Sequence, residues 1–250
     1  MKKLILLILP FILLTSCQIT EEVSFNKNGS GTYNLKMNMS GMIQMMKNMV
    51  ENDSVKKHEN ASINRKPEKR DTVILFADIL KEKKDSIKNL SKEQREFLES
   101  LKDAKMRMYM DEAKDEMFIS YEIPFKKIVD LTNIDQKFGK LNAFNKKDTK
   151  GMNGMNGMLS DYKVSYEFNK HVFHRKIIKT NKPDKKDKPK DEKFYKMINY
   201  EIIYHFPYKI ESVSYKDALL SADGKSLHIR MPLDSLLKNK DLLDLEVKFR

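Results

Sequence analysis

Tyr200-Glu201-Ile202-Ile203-Tyr204-His205-Phe206-Pro207 is the most regular stretch of the chain: Tyr200, Ile202, Tyr204 and Phe206 recur at every second position, and Pro207 marks the turn after them. A period of two belongs to a strand with one buried face, because successive side chains point to opposite sides. Towards the C-terminus the pattern returns around 210–215 and over 227–231. The turn pair Asp223-Gly224 separates these runs, and Pro232 begins a short helix. Leu243, Leu245, Val247 and Phe249 then alternate to the end. Polar residues fill most of the opposite face, which argues for antiparallel sheet with one solvated side and against a doubly wound parallel sheet. The predicted fold class is α+β: an antiparallel β-sheet with short helices on one face and flexible lysine-rich insertions.

Upstream, Tyr162, Val164, Tyr166 and Phe168 alternate, and residues 172–178 answer them as a second strand. Before that pair, 145–160 carries the repeat Gly151-Met152-Asn153, Gly154-Met155-Asn156, Gly157-Met158, too rich in glycine to hold a helix or strand. After it, 181–193 holds six lysines, four acids and two prolines, a linker composition. Both read as insertions, as does the charged stretch 51–71. Met106, Met108 and Met110 alternate into a polar turn and return through 118–123 as a hairpin that Pro124 stops. Short helices are predicted over 125–131 and 135–144. Thr72 to Phe76 reads as a strand and 78–90 as helix, and Ser91 with Gln94 forms a capping box for a second helix carrying Phe97, Leu98 and Leu101. Val23 and Phe25, the turn residues Asn28-Gly29-Ser30-Gly31, and Tyr33, Leu35, Met37 and Met39 make a hairpin. Ser40 is placed to cap a short helix in which Met42, Met45, Met46 and Met49 recur at helical spacing.

The first sixteen residues are of another kind. Met1-Lys2-Lys3 is cationic, the eleven residues from Leu4 to Leu14 are apolar apart from Pro10, and Leu14-Thr15-Ser16-Cys17 follows at once. Eleven residues are too few to cross a bilayer, which takes about 20, so 1–16 reads as a cleaved signal peptide and 17–250 as a single elaborated domain. This segment resembles a bacterial lipoprotein precursor, with Leu14-Thr15-Ser16-Cys17 as its lipobox. The resemblance implies that Cys17 is acylated, palmitate being a typical chain, and becomes the new N-terminus. It also implies a cell-envelope location, with Gln18 favouring the outer membrane in a Gram-negative cell. Cys17 is the only cysteine, so no disulfide is available and stability must come from packing. Each buried acyl methylene contributes about 0.8 kcal/mol, so several chains hold a protein firmly on a bilayer.

A second resemblance follows from the order of the lipobox, Glu22-Val23-Ser24-Phe25, the Gly29-Ser30-Gly31-Thr32 hairpin, and Met39-Ser40-Gly41-Met42. With the closing Tyr204-His205-Phe206-Pro207 and Ser221-Ala222-Asp223-Gly224-Lys225-Ser226, these are similar to LppM-type lipoprotein domains. The similarity covers about a third of the chain. It implies a membrane-anchored domain that binds lipid or glycolipid and performs no catalysis. The long lysine-rich insertions depart from the compact form of such a domain.

No motif points to an enzyme. Gly224-Lys225-Ser226 has Leu219 where a phosphate loop needs glycine. Ser54-Val55-Lys56-Lys57 and Ser235-Leu236-Leu237-Lys238 lack the companion elements of penicillin-recognising enzymes. His171 and His174 fall on opposite faces of a strand and cannot share an ion, so neither metal nor cofactor is expected. Methionine is the compositional oddity, at sixteen residues. Closely spaced thioethers suit Cu(I), an adaptable core, or a deformable groove for a lipid or partner helix. Met42, Met46 and Met49 are the candidate groove. A net charge of +12 comes almost wholly from lysines lying among acids. That is unlike the arginine–aromatic surfaces that read nucleic acid, and better suited to solubility or to anionic headgroups beside the anchor. The expected function is that of a noncatalytic, membrane-anchored lipoprotein of the cell envelope that binds a lipid or other apolar ligand. The alternative is a structural or assembly accessory that docks another envelope protein.

Overall fold

The computed structural model describes residues 17–41, 43, 67–132, 134, 162–179 and 195–250. The strands are β1 (Cys17–Phe25), β2 (Gly31–Asn38), β3 (Lys69–Leu75), β4 (Lys105–Asp111), β5 (Glu116–Phe125), β6 (Tyr162–Phe168), β7 (Val172–Lys179), β8 (Ile198–His205), β9 (Ile210–Val213), β10 (Leu219–Leu220), β11 (Ser226–Pro232) and β12 (Leu245–Phe249). Helices α1 (Phe76–Glu82), α2 (Lys84–Lys88) and α3 (Lys92–Ser100) lie between β3 and β4, and α4 (Leu233–Lys238) follows β11. An eight-stranded sheet has the order β10-β11-β8-β1-β2-β5-β4-β3, and a four-stranded sheet the order β6-β7-β12-β9.

The alternation seen in the sequence becomes a division between faces. Ile198, Tyr200, Ile202 and Tyr204 of β8 are buried while Asn199, Glu201, Ile203 and His205 are half-buried on the other side. Buried residues from both sheets form one contiguous cluster. Its aromatic centre joins the sheets: Phe25 stacks on Phe168 at 4.9 Å, and Phe173 of β7 meets Tyr204 at 4.8 Å and Phe206 at 5.2 Å. Burying a side chain of this size contributes roughly 1.5–3 kcal/mol.

Two local devices set the first hairpin. Gly29 takes φ +80°, a conformation costly for other residues. Gly31 opens β2 where a Cβ would stand 1.9 Å from the Ser24 carbonyl oxygen and 2.5 Å from the Phe125 ring. The predicted capping box also forms: Ser91 Oγ accepts from the Gln94 N–H at 3.2 Å, and Gln94 Oε1 accepts from the Ser91 N–H at 3.0 Å.

Several expectations need correction. The large sheet is mixed, because β1 runs parallel to β8 in the register Cys17↔Ile198 to Ser24↔His205. Each strand alternates in either orientation, so periodicity carried no information on this pairing. Part of the expected insertion 51–71 is strand: β3 starts at Lys69. Its charges are tolerated on an edge, where Arg107 donates to Asp71 at 2.8 and 2.7 Å. Pro124 does not end its strand. Beyond Glu122, β5 has only β2 beside it, so a missing N–H is tolerated and the strand reaches Phe125. The helix expected over 125–131 shortens to a 3-10 turn, Ile128–Leu131. Ser40 and Gly41 are helical, the Ser40 N–H donates to Asn38 Oδ1 at 3.0 Å, and Ser40 Oγ accepts from the Met117 N–H at 3.0 Å and ties the end of β2 to β5. The expected helix 135–144 and the glycine–methionine repeat lie outside the described residues, as do 181–193 and residues 51–66.

Candidate functional site

Strand register assembles the methionines. On the face of the large sheet that carries the core, Met110 of β4 pairs with Met117 of β5. Met108 pairs with Ile119, which pairs in turn with Met37 of β2. Met106 pairs with Tyr121, and Tyr121 with Leu35. Adjacent strands lie about 4.8 Å apart, so three strands present a continuous apolar surface rich in thioethers. Burial falls across it: Met37 and Ile119 are 8% and 7% exposed, whereas Met108 is 42% exposed. Burial raises the Tyr121 phenol above its ordinary pKa, as expected for a hydroxyl set in apolar surroundings.

The sequence singled out Met37, Met39, Met106, Met108 and Met110, and the structure brings them to one neighbourhood. Met39 donates its N–H to the Met117 carbonyl at 2.9 Å. Met117, Tyr121 and Leu35 join them through cross-strand register, which one strand's alternation cannot show. Met42, Met46 and Met49, the groove expected from helical spacing, lie outside the described residues. Cys17, the expected lipidation site, is the first residue of β1 and is half-buried. Gln18 already has strand partners on both sides, Asn38 and Asn199. A diacylated cysteine here would be followed by no tether.

A buried polar cluster lies on the same face, between the sheets. Arg175 of β7 is 0% exposed and Glu21 of β1 is 1% exposed. The guanidinium donates from Nη1 and Nη2 to the two Glu21 oxygens at 3.0 and 3.1 Å, and from Nη1 to the Tyr204 hydroxyl at 2.9 Å. The Tyr200 hydroxyl donates to Glu21 at 2.7 Å. Burial works against the charge on Arg175, but Glu21 together with Tyr166, Tyr204 and Tyr200 outweighs it, and the guanidinium proton is held more tightly than usual. Burial likewise raises the Tyr204 phenol well beyond its ordinary range. Arg175 Nε finds no acceptor among the described residues.

On the opposite, solvent-facing side of the large sheet, His205 pairs with Glu22 at 2.8 Å and His228 pairs with Glu201. In the small sheet His174 pairs with Glu246. His171 lies in the bend before β7, apart from that pair. Among the described residues no group of three or more His, Cys, Asp or Glu is placed to hold a metal ion. Nor is any helix among them long and apolar enough to cross a membrane.

No family model and no curated protein matches the chain. Among solved structures, it is similar to the folded domain of LppM from Mycobacterium tuberculosis, determined by NMR. The two share 7% identity and a TM-score of 0.39, over 94% of this chain and 90% of that one. At that level the likeness fixes neither the register of a strand nor the position of a site.

Proposed function

We propose that the chain is a noncatalytic, membrane-anchored lipoprotein of the bacterial cell envelope, held by acyl chains on Cys17, that binds a lipid or other apolar ligand on its methionine face. The observation that carries this reading is the exposure gradient from Met37 to Met108 on the core-bearing face of one sheet. Met108, exposed beside the buried Met37 and Ile119, extends the core-bearing face to solvent, where an apolar ligand can cover it. Thioether chains are flexible and polarizable, so such a surface adapts to acyl chains of differing shape. Nucleic acid is not an expected partner and no cofactor is needed. Met42, Met46 and Met49 remain proposed members of the groove.

Two measurements test the reading. Palmitate labelling and membrane fractionation of wild type and Cys17→Ser test the anchor: wild type should label and sediment with membranes, and the variant should do neither. Mass spectrometry of small molecules retained by the purified Cys17→Ser protein tests the ligand. Bound lipid that disappears when Met108 is replaced by Glu supports the groove; no lipid in either protein contradicts it. The second reading, a surface that docks another envelope protein, is favoured by the edge strand β3, where Val73 is 56% and Leu75 is 42% exposed.

A further inference from the structure

The end of the large sheet at which Cys17 lies carries a second feature, on the side away from the methionines. Tyr109 of β4 and Phe118 of β5 are paired across the strands and stack at 4.9 Å with 18° between their planes. Both are half-buried. Cations cover the rings: Lys36 Nζ lies 4.5 Å from the Phe118 centroid. Arg107 lies 5.4 Å from Phe118 and 5.7 Å from Tyr109, and Lys69 lies 5.8 Å from Tyr109. Asp71 pairs with Arg107, and Asp111 with Lys69. Among the described residues no carboxylate pairs with Lys36.

Register places this patch beside the anchor. Gln18 pairs with Asn38, Asn38 with Phe118, and Phe118 with Tyr109, so the rings stand two and three strands from β1, at one level of the sheet. On the other side Cys17 pairs with Ile198, and Met197 just before it is 45% exposed. Acyl chains on Cys17 would pull this end onto the bilayer with no intervening linker. Aromatic rings with a polar rim favour the depth of the headgroups, and cations over their faces meet lipid phosphates there.

We propose that Phe118, Tyr109, Lys36, Arg107 and Lys69, together with Met197, form a docking surface for anionic phospholipid headgroups that holds the sheet end-on to the membrane. The surface rests on the acylation of Cys17. It fixes the height and tilt of the domain and brings the methionine face, whose Met110–Met117 pair lies at the same end of the sheet, to the membrane surface.

The chain has no tryptophan, so one introduced indole reports depth without background. Acylated full-length Phe118→Trp, Met197→Trp and Tyr208→Trp proteins are reconstituted in vesicles of phosphatidylglycerol and phosphatidylethanolamine with brominated acyl chains. Tyr208 follows the far end of β8, about 25 Å along the strand from Met197. Quenching at 118 and 197 should exceed that at 208 several-fold, and Lys36→Glu should reduce quenching at 118 in these vesicles but not in pure phosphatidylcholine. Equal quenching at 197 and 208 overturns the docking surface, whether or not Phe118→Trp folds. Failure of the wild-type protein to float with vesicles overturns both this surface and the anchor. Flotation with equal quenching overturns the surface alone.

Discussion

At the scale of single residues, Glu21 and Arg175 form a buried ion pair where the two sheets meet. Each stands at a core position of an alternating strand, between Ile19 and Val23 in one case and between Phe173 and Ile177 in the other. That pattern was readable: a charge on the apolar face of each of two strands signals a buried pair. What the sequence withheld was that the two strands lie in different sheets. Two ions taken from water gain little net stability even when well paired, and Arg175 Nε has no acceptor among the described residues. The pair links β1 of one sheet to β7 of the other. Arg175→Met should cost about 3–5 kcal/mol, because it strands the Glu21 carboxylate. Adding Glu21→Leu should recover part of that loss, which urea unfolding of both variants would measure. If the double variant is no more stable than the single, the pair is not coupled. The methionines behave differently. Met108→Ala should cost under about 2 kcal/mol, since the side chain is 42% exposed, whereas Leu245→Ala, at 2% exposed, should cost about 2–5 kcal/mol.

At the scale of elements, turn chemistry and capping were the most legible features, because they depend on residues within a few positions of one another. Asn28 to Gly31, Ser91 with Gln94, and Asp223-Gly224 all do what their residue types require. Gly31→Ala should fail where an ordinary strand glycine would tolerate alanine. The added methyl meets the Ser24 carbonyl across the hairpin, and a large fall in thermal midpoint is expected. A midpoint unchanged from wild type would mean that β1 and β2 are not in this register. Edge strand β3 was half legible: Thr72 to Phe76 suggested it, though Phe76 opens the helix that follows, while Lys69, Arg70 and Asp71 resembled a loop. Its register with β4 has a pH signature. The hydrogen bonds from Arg107 hold the Asp71 carboxyl below its ordinary pKa. The stabilisation is thus present above the unfolded value, about 3.9, and is lost as pH falls through the lower folded value. Asp71→Asn should therefore narrow the difference in thermal midpoint between pH 6 and pH 2. An unaltered acid limb would count against the pair.

At the scale of the whole molecule, the least legible feature was which strand pairs with which. β1 lies beside β8, nearly two hundred residues away in sequence, and β9 leaves its neighbour β8 for the other sheet. Alternation fixes a strand's faces, not its partners. For the same reason the methionine surface could be suspected one strand at a time but not assembled, since it exists only when β2, β5 and β4 lie side by side. In the proposed function, this assembled face receives an apolar ligand while the rest of the sandwich maintains the fold. Titration of the Cys17→Ser protein with a fluorescent fatty-acid probe, with and without Met108→Ala, tests that most directly. The variant should bind the probe about tenfold more weakly, a loss of about 1.4 kcal/mol, while its unfolding midpoint stays near that of the parent. Undiminished probe binding in Met108→Ala, or no binding by either protein, would contradict it.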